Sequence, residues 1–264
     1  MAVIVCTGGP GSPGVTTTAL TLAITWPRDV LLADCDRDPS QAVLAGYLRG
    51  LDTGGRGLAS VAQAHRQGLP LADELWVHTL PLREGEAATR RFLAGFSHPG
   101  AVRLFEAAWT GLGEAFAALD ARGVDVLVDA GRIGVHGLPL GLLTSADLVV
   151  VTVRSHLRSL AALRLHLPTL REQLGALPVA VPLGLAVVGP GMPYSSREIG
   201  QQFDVEPWLE IPHDPRAAAV LADGAPEPRR FAEHGHLGRA RTLAKQLAER
   251  VHGLRRSREE LLHV

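Results

Sequence analysis

The sequence predicts an α/β fold, a doubly wound, mainly parallel sheet of about seven strands flanked by helices. Short β-branched runs alternate with longer Ala- and Leu-rich stretches, the pattern of strands joined by crossover helices. Several of the short runs are apolar at successive positions, as strands buried on both faces are. The first of them leads directly into a glycine-rich loop and then a helix-forming stretch.

The first strand is expected at 2–7 (AVIVCT), followed by the loop Gly8-Gly9-Pro10-Gly11-Ser12-Pro13-Gly14 and a helix at 16–25. A second strand at 29–34 (DVLLAD) ends in an acidic residue, and helices at 39–49 and 58–67 lead to a strand at 76–80 (WVHTL). The stretch 81–100 mixes charges with Gly and Pro and has no period, so it is expected to be an irregular surface connection. A helix at 101–121 precedes the strand 124–129 (VDVLVD), and a helix at 137–144 precedes the strand 147–153 (DLVVVTV). The next helix, 156–174, contains Pro168, which removes a donor and is expected to kink or split it. Strands at 183–188 and 207–211 alternate with helices at 194–203, 215–222 and 236–252. Gly253 is expected to end the last helix, leaving one domain over 1–252 and a basic tail over 253–264.

Composition narrows the function. The chain has 264 residues, 46% apolar and 20% charged, with a net charge of −1, so no global basic field points to nucleic acid. Of its 26 cationic residues only Lys245 is a lysine, which excludes any mechanism that needs a lysine earlier in the chain. Cys6 and Cys35 lie in apolar runs and are expected to be small buried thiols in a reducing compartment. The amino terminus has neither a charged leader nor a membrane-length apolar run, so a cytoplasmic location is expected.

The strand, glycine-rich loop and helix start occur in the order that a phosphate-binding loop requires. Against G-x-x-x-x-G-K-[ST], Gly9, Gly14 and Thr16 match, and Val15 stands where the lysine belongs. With VLLADCDRDPSQAVL, VDVLVDAGRIG, SADLVVVTVRSHLRSLAAL and PWLEIPHDPRAAAVLADG following in order, most of the chain resembles the ParA/MinD type of deviant Walker-A P-loop ATPases. It is a degenerate form, because the family's early lysine maps to Pro10 and its loop lysine to Val15.

The resemblance implies the P-loop NTPase fold and binding of ATP and Mg2+. It implies nucleotide contacts from Gly9, Gly11, Ser12, Gly14, Val15, Thr16 and Thr17, and a base pocket lined by Pro212 and Asp214. Thr16, Asp34 and Asp129 would hold the metal, and Asp36 would orient the hydrolytic water. The strand ending VVGPG lacks the asparagine that commonly recognises adenine in the family.

Two missing ammonium groups, at about 1.5–3 kcal/mol each, remove roughly a hundredfold to ten-thousandfold in affinity. Pro10 and Pro13 also carry no N–H, whereas the acidic and hydroxyl positions are kept, which makes the expected pocket net negative. Arg37, Arg132, Arg154 and Arg158 follow strand ends where an arginine could reach a phosphate, and Arg132 is the foremost choice for a catalytic role. The expected function is a nucleotide switch with weak or atypical ATP binding and slow or no hydrolysis, acting on protein partners in positioning, partitioning or regulation. Two alternatives stand beside it, a scaffold that binds no nucleotide and an ATPase in which arginine replaces lysine. A homodimer is left open, but Pro10 cannot contact a neighbour's nucleotide, so ATP is not expected to drive dimerisation.

Other constellations favour plainer readings. His234 and His236 have no metal-ligand spacing and are expected to be solvated, and there is no G-x-S-x-G elbow. Arg158, Arg164 and Arg171 share a helical face, more consistent with solvation than with DNA contact. Leu243, Leu247, Val251 and Leu254 form an apolar stripe in the last helix, expected to pack on its own domain rather than on a membrane.

Overall fold

Apolar strands without an alternating pattern need cover on both faces, and the computed structural model, which describes residues 1–11, 14–83, 87–229, 231 and 235–262, provides it. The order is β1 (Val3–Gly8), α1 (Val15–Thr25), β2 (Val30–Asp34), a π-helical turn (Val43–Tyr47), α2 (Leu58–Arg66), α3 (Leu71–Glu74), β3 (Leu80–Arg83) and β4 (Arg90–Leu93). Then come α4 (Pro99–Leu104), α5 (Trp109–Ala118), β5 (Asp125–Arg132), α6 (Leu140–Thr144), β6 (Leu148–Arg154) and α7 (Leu157–Gly175). The chain continues with β7 (Leu183–Val188), α8 (Ser196–Phe203), β8 (Pro207–Ile211), α9 (Pro215–Ala222) and α10 (Gly235–Leu262).

The eight strands form one sheet in the order β3-β4-β2-β5-β1-β6-β7-β8. All neighbours are parallel except β3 and β4. One apolar layer packs α2, α5 and α7 against the sheet and contains the edge-to-face trio Phe96, Phe105 and Trp109, with centroids 4.7–5.9 Å apart. The other packs α1 and α10 against the opposite face, with Ile4, Leu32, Trp26 and Leu247 buried in it.

Several boundaries differ from expectation. The strand expected at 76–80 begins as a 3-10 turn over Leu75–His78, and the pairing strand is Leu80–Arg83. The stretch 81–100 is not an irregular connection, because it contains β4, whose Phe92 is fully buried. The charge of Arg90 hides that strand in the sequence. Its guanidinium is nonetheless buried and donates to the carbonyls of Ala23 at 3.2 Å and Trp26 at 3.0 Å. The helix expected at 39–49 shrinks to the π-helical turn, and that expected at 101–121 divides into α4, a 3-10 turn, α5 and a second 3-10 turn.

Pro168 does not split α7; it lies on the solvent face, where water can satisfy the carbonyl that loses its donor. Gly253 does not end α10, so the boundary expected at 252 falls inside a continuous helix. Contacts beyond the glycine explain this: Arg255 pairs with Asp120 at 3.5 Å and Asp147 at 3.7 Å, and Arg258 donates to the Ala180 carbonyl at 2.8 Å. Leu247 and Val251 are buried against the domain. Among the described residues no helix is long and apolar enough to cross a membrane.

Candidate functional site

β1 is central, so the loop that leaves it opens at the middle of the sheet's carboxyl edge, where ligands of doubly wound folds bind. Gly8 is in register with Arg132 of β5 on one side and Thr152 of β6 on the other. The backbone of Gly9 lies against α7, since a Cβ there would stand 3.1 Å from the Leu163 nitrogen. The Ser159 hydroxyl donates to the Gly11 carbonyl at 3.4 Å, tying the loop to the same helix. Ser12, expected among the nucleotide contacts, lies outside the described residues, as do Pro13 and His234.

Gly14 precedes α1 with φ +125°, a backbone conformation that needs glycine, and no side chain caps the helix. The first turn of α1 carries no acidic residue either, so its free N–H groups and positive dipole end are left for an anion. The Val15 side chain is withdrawn into the apolar layer under α1 at 5% exposure, leaving only its backbone available to a ligand.

The acidic residues come from neighbouring strands, with Asp34 at the end of β2 in register with Asp129 of β5. Both are buried, at 8% and 2% exposure. Two glycines make room for the carboxyls next to them. A Cβ on Gly95 would fall 2.6 Å from the Asp34 carboxyl carbon, and one on Gly131, at φ +62°, would fall 2.0 Å from Asp36 Oδ1. The amide of Asp36 donates to Asp34 Oδ1 at 3.3 Å, and that of Gly131 to Asp129 Oδ1 at 3.0 Å.

Burial, then the nearby Asp129, pushes the Asp34 carboxyl up to about 8. Burial also raises Asp129, opposed by the Thr16 hydroxyl and the Gly131 amide, and raises Asp36, opposed by the Asp38 amide, Arg132 and Arg37. The negative charge expected from counting carboxylates is therefore reduced near neutral pH by a proton held on Asp34. Asp129 Oδ2 is buried without a hydrogen-bond partner, although Thr16 is close enough to lower the pKa of its carboxyl. Among the described residues no three His, Cys, Asp or Glu side chains form a metal-ligating group. A divalent cation between Thr16 and Asp129 would need water or phosphate oxygens to complete its shell.

The arginines separate. Arg132 is exposed beside Asp36. Arg37 is engaged elsewhere, donating to the Gly137 carbonyl. Arg171 donates to the carbonyls of Phe203 and Asp204 and so leaves the basic face expected on α7. Arg154 lines a cavity of about 400 Å3 that opens beside Gly14 and Thr17 and runs between α1, α9 and α10. Pro212 and Asp214 line it as well, although the Asp214 carboxylate also caps α9 by accepting from the Ala217 amide at 3.0 Å. His236, expected to be solvated, also lines it and has its Nδ1 buried. The glycine seats at 95 and 131 and the placement of His236 have no local sequence signal, because each depends on which elements meet in space.

No protein-family model and no curated protein sequence matches the chain. Solved structures do. A chain of a MinC:MinD cell division protein complex from Aquifex aeolicus superposes with TM-score 0.69 at 17% identity, over 94% of this chain and 96% of the other. MinD of Pyrococcus horikoshii complexed with Mg-ADP gives TM-score 0.67 at 18% identity, over 93% and 95%. A ParA family ATPase from Chlorobium tepidum gives TM-score 0.66 at 12% identity, over 90% and 98%. The chain therefore has the P-loop NTPase fold of the ParA/MinD ATPases, as its motifs predicted.

Proposed function

We propose that this chain is a nucleotide-responsive switch of the ParA/MinD type that binds ATP weakly, hydrolyses it slowly or not at all, and acts through protein partners. The observation that carries this reading is the buried Asp129 carboxyl, one oxygen unpartnered, beside Thr16 at an uncapped helix start. A buried carboxyl oxygen without a hydrogen-bond partner costs about 1–3 kcal/mol or more, which the Thr16 hydroxyl and the Gly131 amide acting on the same carboxyl offset only in part.

Thr16, Asp34 and Asp129 would hold Mg2+, which when bound neutralises phosphate oxygens. The loop amides of Gly9, Gly11, Gly14, Val15, Thr16 and Thr17 and the α1 dipole would bind phosphate, and the cavity at Pro212 would take the base. Asp36 would orient water in any hydrolysis. The Mg-ADP of the Pyrococcus MinD and the MinC partner of the Aquifex MinD support the ligand class and the action through proteins. The buried Val15 favours the alternative of a scaffold without nucleotide, and Arg132 beside Asp36 favours that of an ATPase using arginine.

Equilibrium dialysis with ATP and Mg2+ separates these. From a micromolar reference, the loss of both lysines predicts a Kd of roughly 0.1–10 mM. No retention even at nucleotide concentrations well above about 10 mM would leave the scaffold, and a turnover abolished in Arg132→Ala with the fold intact would favour the ATPase. Sedimentation should show the same oligomeric state with and without ATP; an ATP-dependent dimer would contradict the assignment of Pro10.

A further inference from the structure

The cavity between α1, α9 and α10 is walled on its β8 side by Pro212-His213-Asp214-Pro215, in which neither proline carries an N–H. The main chain at the ends of β7 and β8 is closed on itself. The Ser155 amide donates to the Val188 carbonyl at 3.0 Å, and the Gly189 amide to the Ile211 carbonyl at 2.8 Å. On the α1 side the Thr21 hydroxyl gives its proton to the Thr17 carbonyl at 2.6 Å, so toward the cavity it can only accept. Arg154 already has an interaction of its own, and His236, held below its ordinary pKa by burial, adds no cation near neutral pH. What the wall offers a base is carboxylate. Asp214 accepts the Ala217 amide on Oδ1 at 3.0 Å, which fixes the side chain and leaves Oδ2 outside that bond. Asp223, exposed at the end of α9, adds a second carboxylate. Asp214 follows β8, which is three strands from β1, a separation of about 14 Å at the usual strand spacing. A phosphate at Gly14 and Thr17 therefore lies far from it, and the opposite end of the ligand meets it.

We propose that the cavity reads guanine in preference to adenine, with the Asp214 carboxylate as the residue that selects it. This rests on the nucleotide reading above and concerns the base end of the same site. Guanine presents N1–H and the N2 amino group side by side, two donors that one carboxylate accepts together, since Oδ1 keeps a lone pair beyond its bond to Ala217. Adenine presents its N6 amino group beside N1, an acceptor, so the carboxylate gains one bond and meets a lone pair with its other oxygen. Leu22, Pro212 and Ala219 give the flat faces of either purine the same apolar contact. The choice therefore falls to the donor edge, where a matched bidentate pair discriminates by about fivefold to a hundredfold.

Ligand-observed NMR titrations of the full chain with GDP, IDP and ADP, all with Mg2+, compare the bases on identical phosphates. GDP should bind at least about fivefold more tightly than ADP, with IDP, which keeps N1–H and lacks the N2 amino group, between them. Asp214→Asn keeps a good helix cap but puts a donor in place of one oxygen, and should bring GDP and ADP within about twofold of each other. If that variant does not fold, the wild-type order of the three decides. ADP bound as tightly as GDP, or more so, would overturn the guanine assignment and leave the nucleotide reading standing. A GDP preference retained in a folded Asp214→Asn would overturn the role of Asp214. No binding of any of the three at concentrations well above about 10 mM would overturn both.

Discussion

Replacing Asp34 by Asn should stabilise the protein, and increasingly so as the pH rises. Asp34 is 8% exposed, and its carboxyl is raised from 3.8 to about 8, chiefly by burial and by Asp129. A carboxyl that binds its proton more tightly when folded contributes stability that is complete below about pH 3.8 and is lost as the pH rises to about 8. At about 1.36 kcal/mol per pKa unit, ionising this buried group costs up to about 6 kcal/mol. Asn keeps the shape and can still accept from the Asp36 amide, but it also buries a polar amide that wants partners. The advantage of Asp34→Asn over wild type should therefore grow by about 2–4 kcal/mol between pH 5 and pH 8.5. Urea denaturation of both proteins in EDTA measures it. Taking the difference between the two removes the opposite pH dependence of His78, His236 and His252, all held below their ordinary pKa by burial. A gain that is flat with pH, or an Asp34→Asn protein less stable at pH 8.5 than wild type, would refute the reasoning.

Three further perturbations probe the same framework. Gly131→Ala places a methyl 2.0 Å from Asp36 Oδ1 at a left-handed φ, and should cost about 2–4 kcal/mol by denaturant titration; a change under about 0.5 kcal/mol would show that the loop yields freely. Asp125→Ala removes a fully buried carboxylate that accepts from the Ala2 amide at 2.7 Å and Trp26 Nε1 at 2.8 Å and pairs with Arg28. It should lower stability by about 3–5 kcal/mol, and a near-neutral result would mean that these donors find other partners. Val15→Lys should tighten ATP with Mg2+ about tenfold or more in calorimetry, with a loss of about 1–3 kcal/mol in stability; unchanged affinity in a folded variant would place residue 15 away from the phosphates.

The central strands and the loop were legible because their signals are local. AVIVCT, DVLLAD, VDVLVD and DLVVVTV each contain an unbroken apolar run, and the glycines of the loop follow the first of them directly. β4 was not, because the partners of Arg90 are carbonyls of residues 23 and 26, far away in sequence, and nothing near Arg90 announces that they will meet it. The persistence of α10 beyond Gly253 likewise depends on Asp120, Asp147 and the Ala180 carbonyl. Within the site, Asp34, Asp36, Asp129 and Thr16 could be named from motif order. That Arg154 lies on the cavity side and Arg132 on the acidic side follows from strand order, which places β5 and β6 on opposite sides of β1.

A crystal structure of the chain grown with millimolar ATP and Mg2+ tests the central claim most directly. The account predicts a nucleotide with its phosphates on the loop before α1 and its base in the cavity at Pro212, without ATP-bridged pairing of two copies. A loop and cavity both empty under those conditions, or a nucleotide bound elsewhere on the molecule, would contradict it.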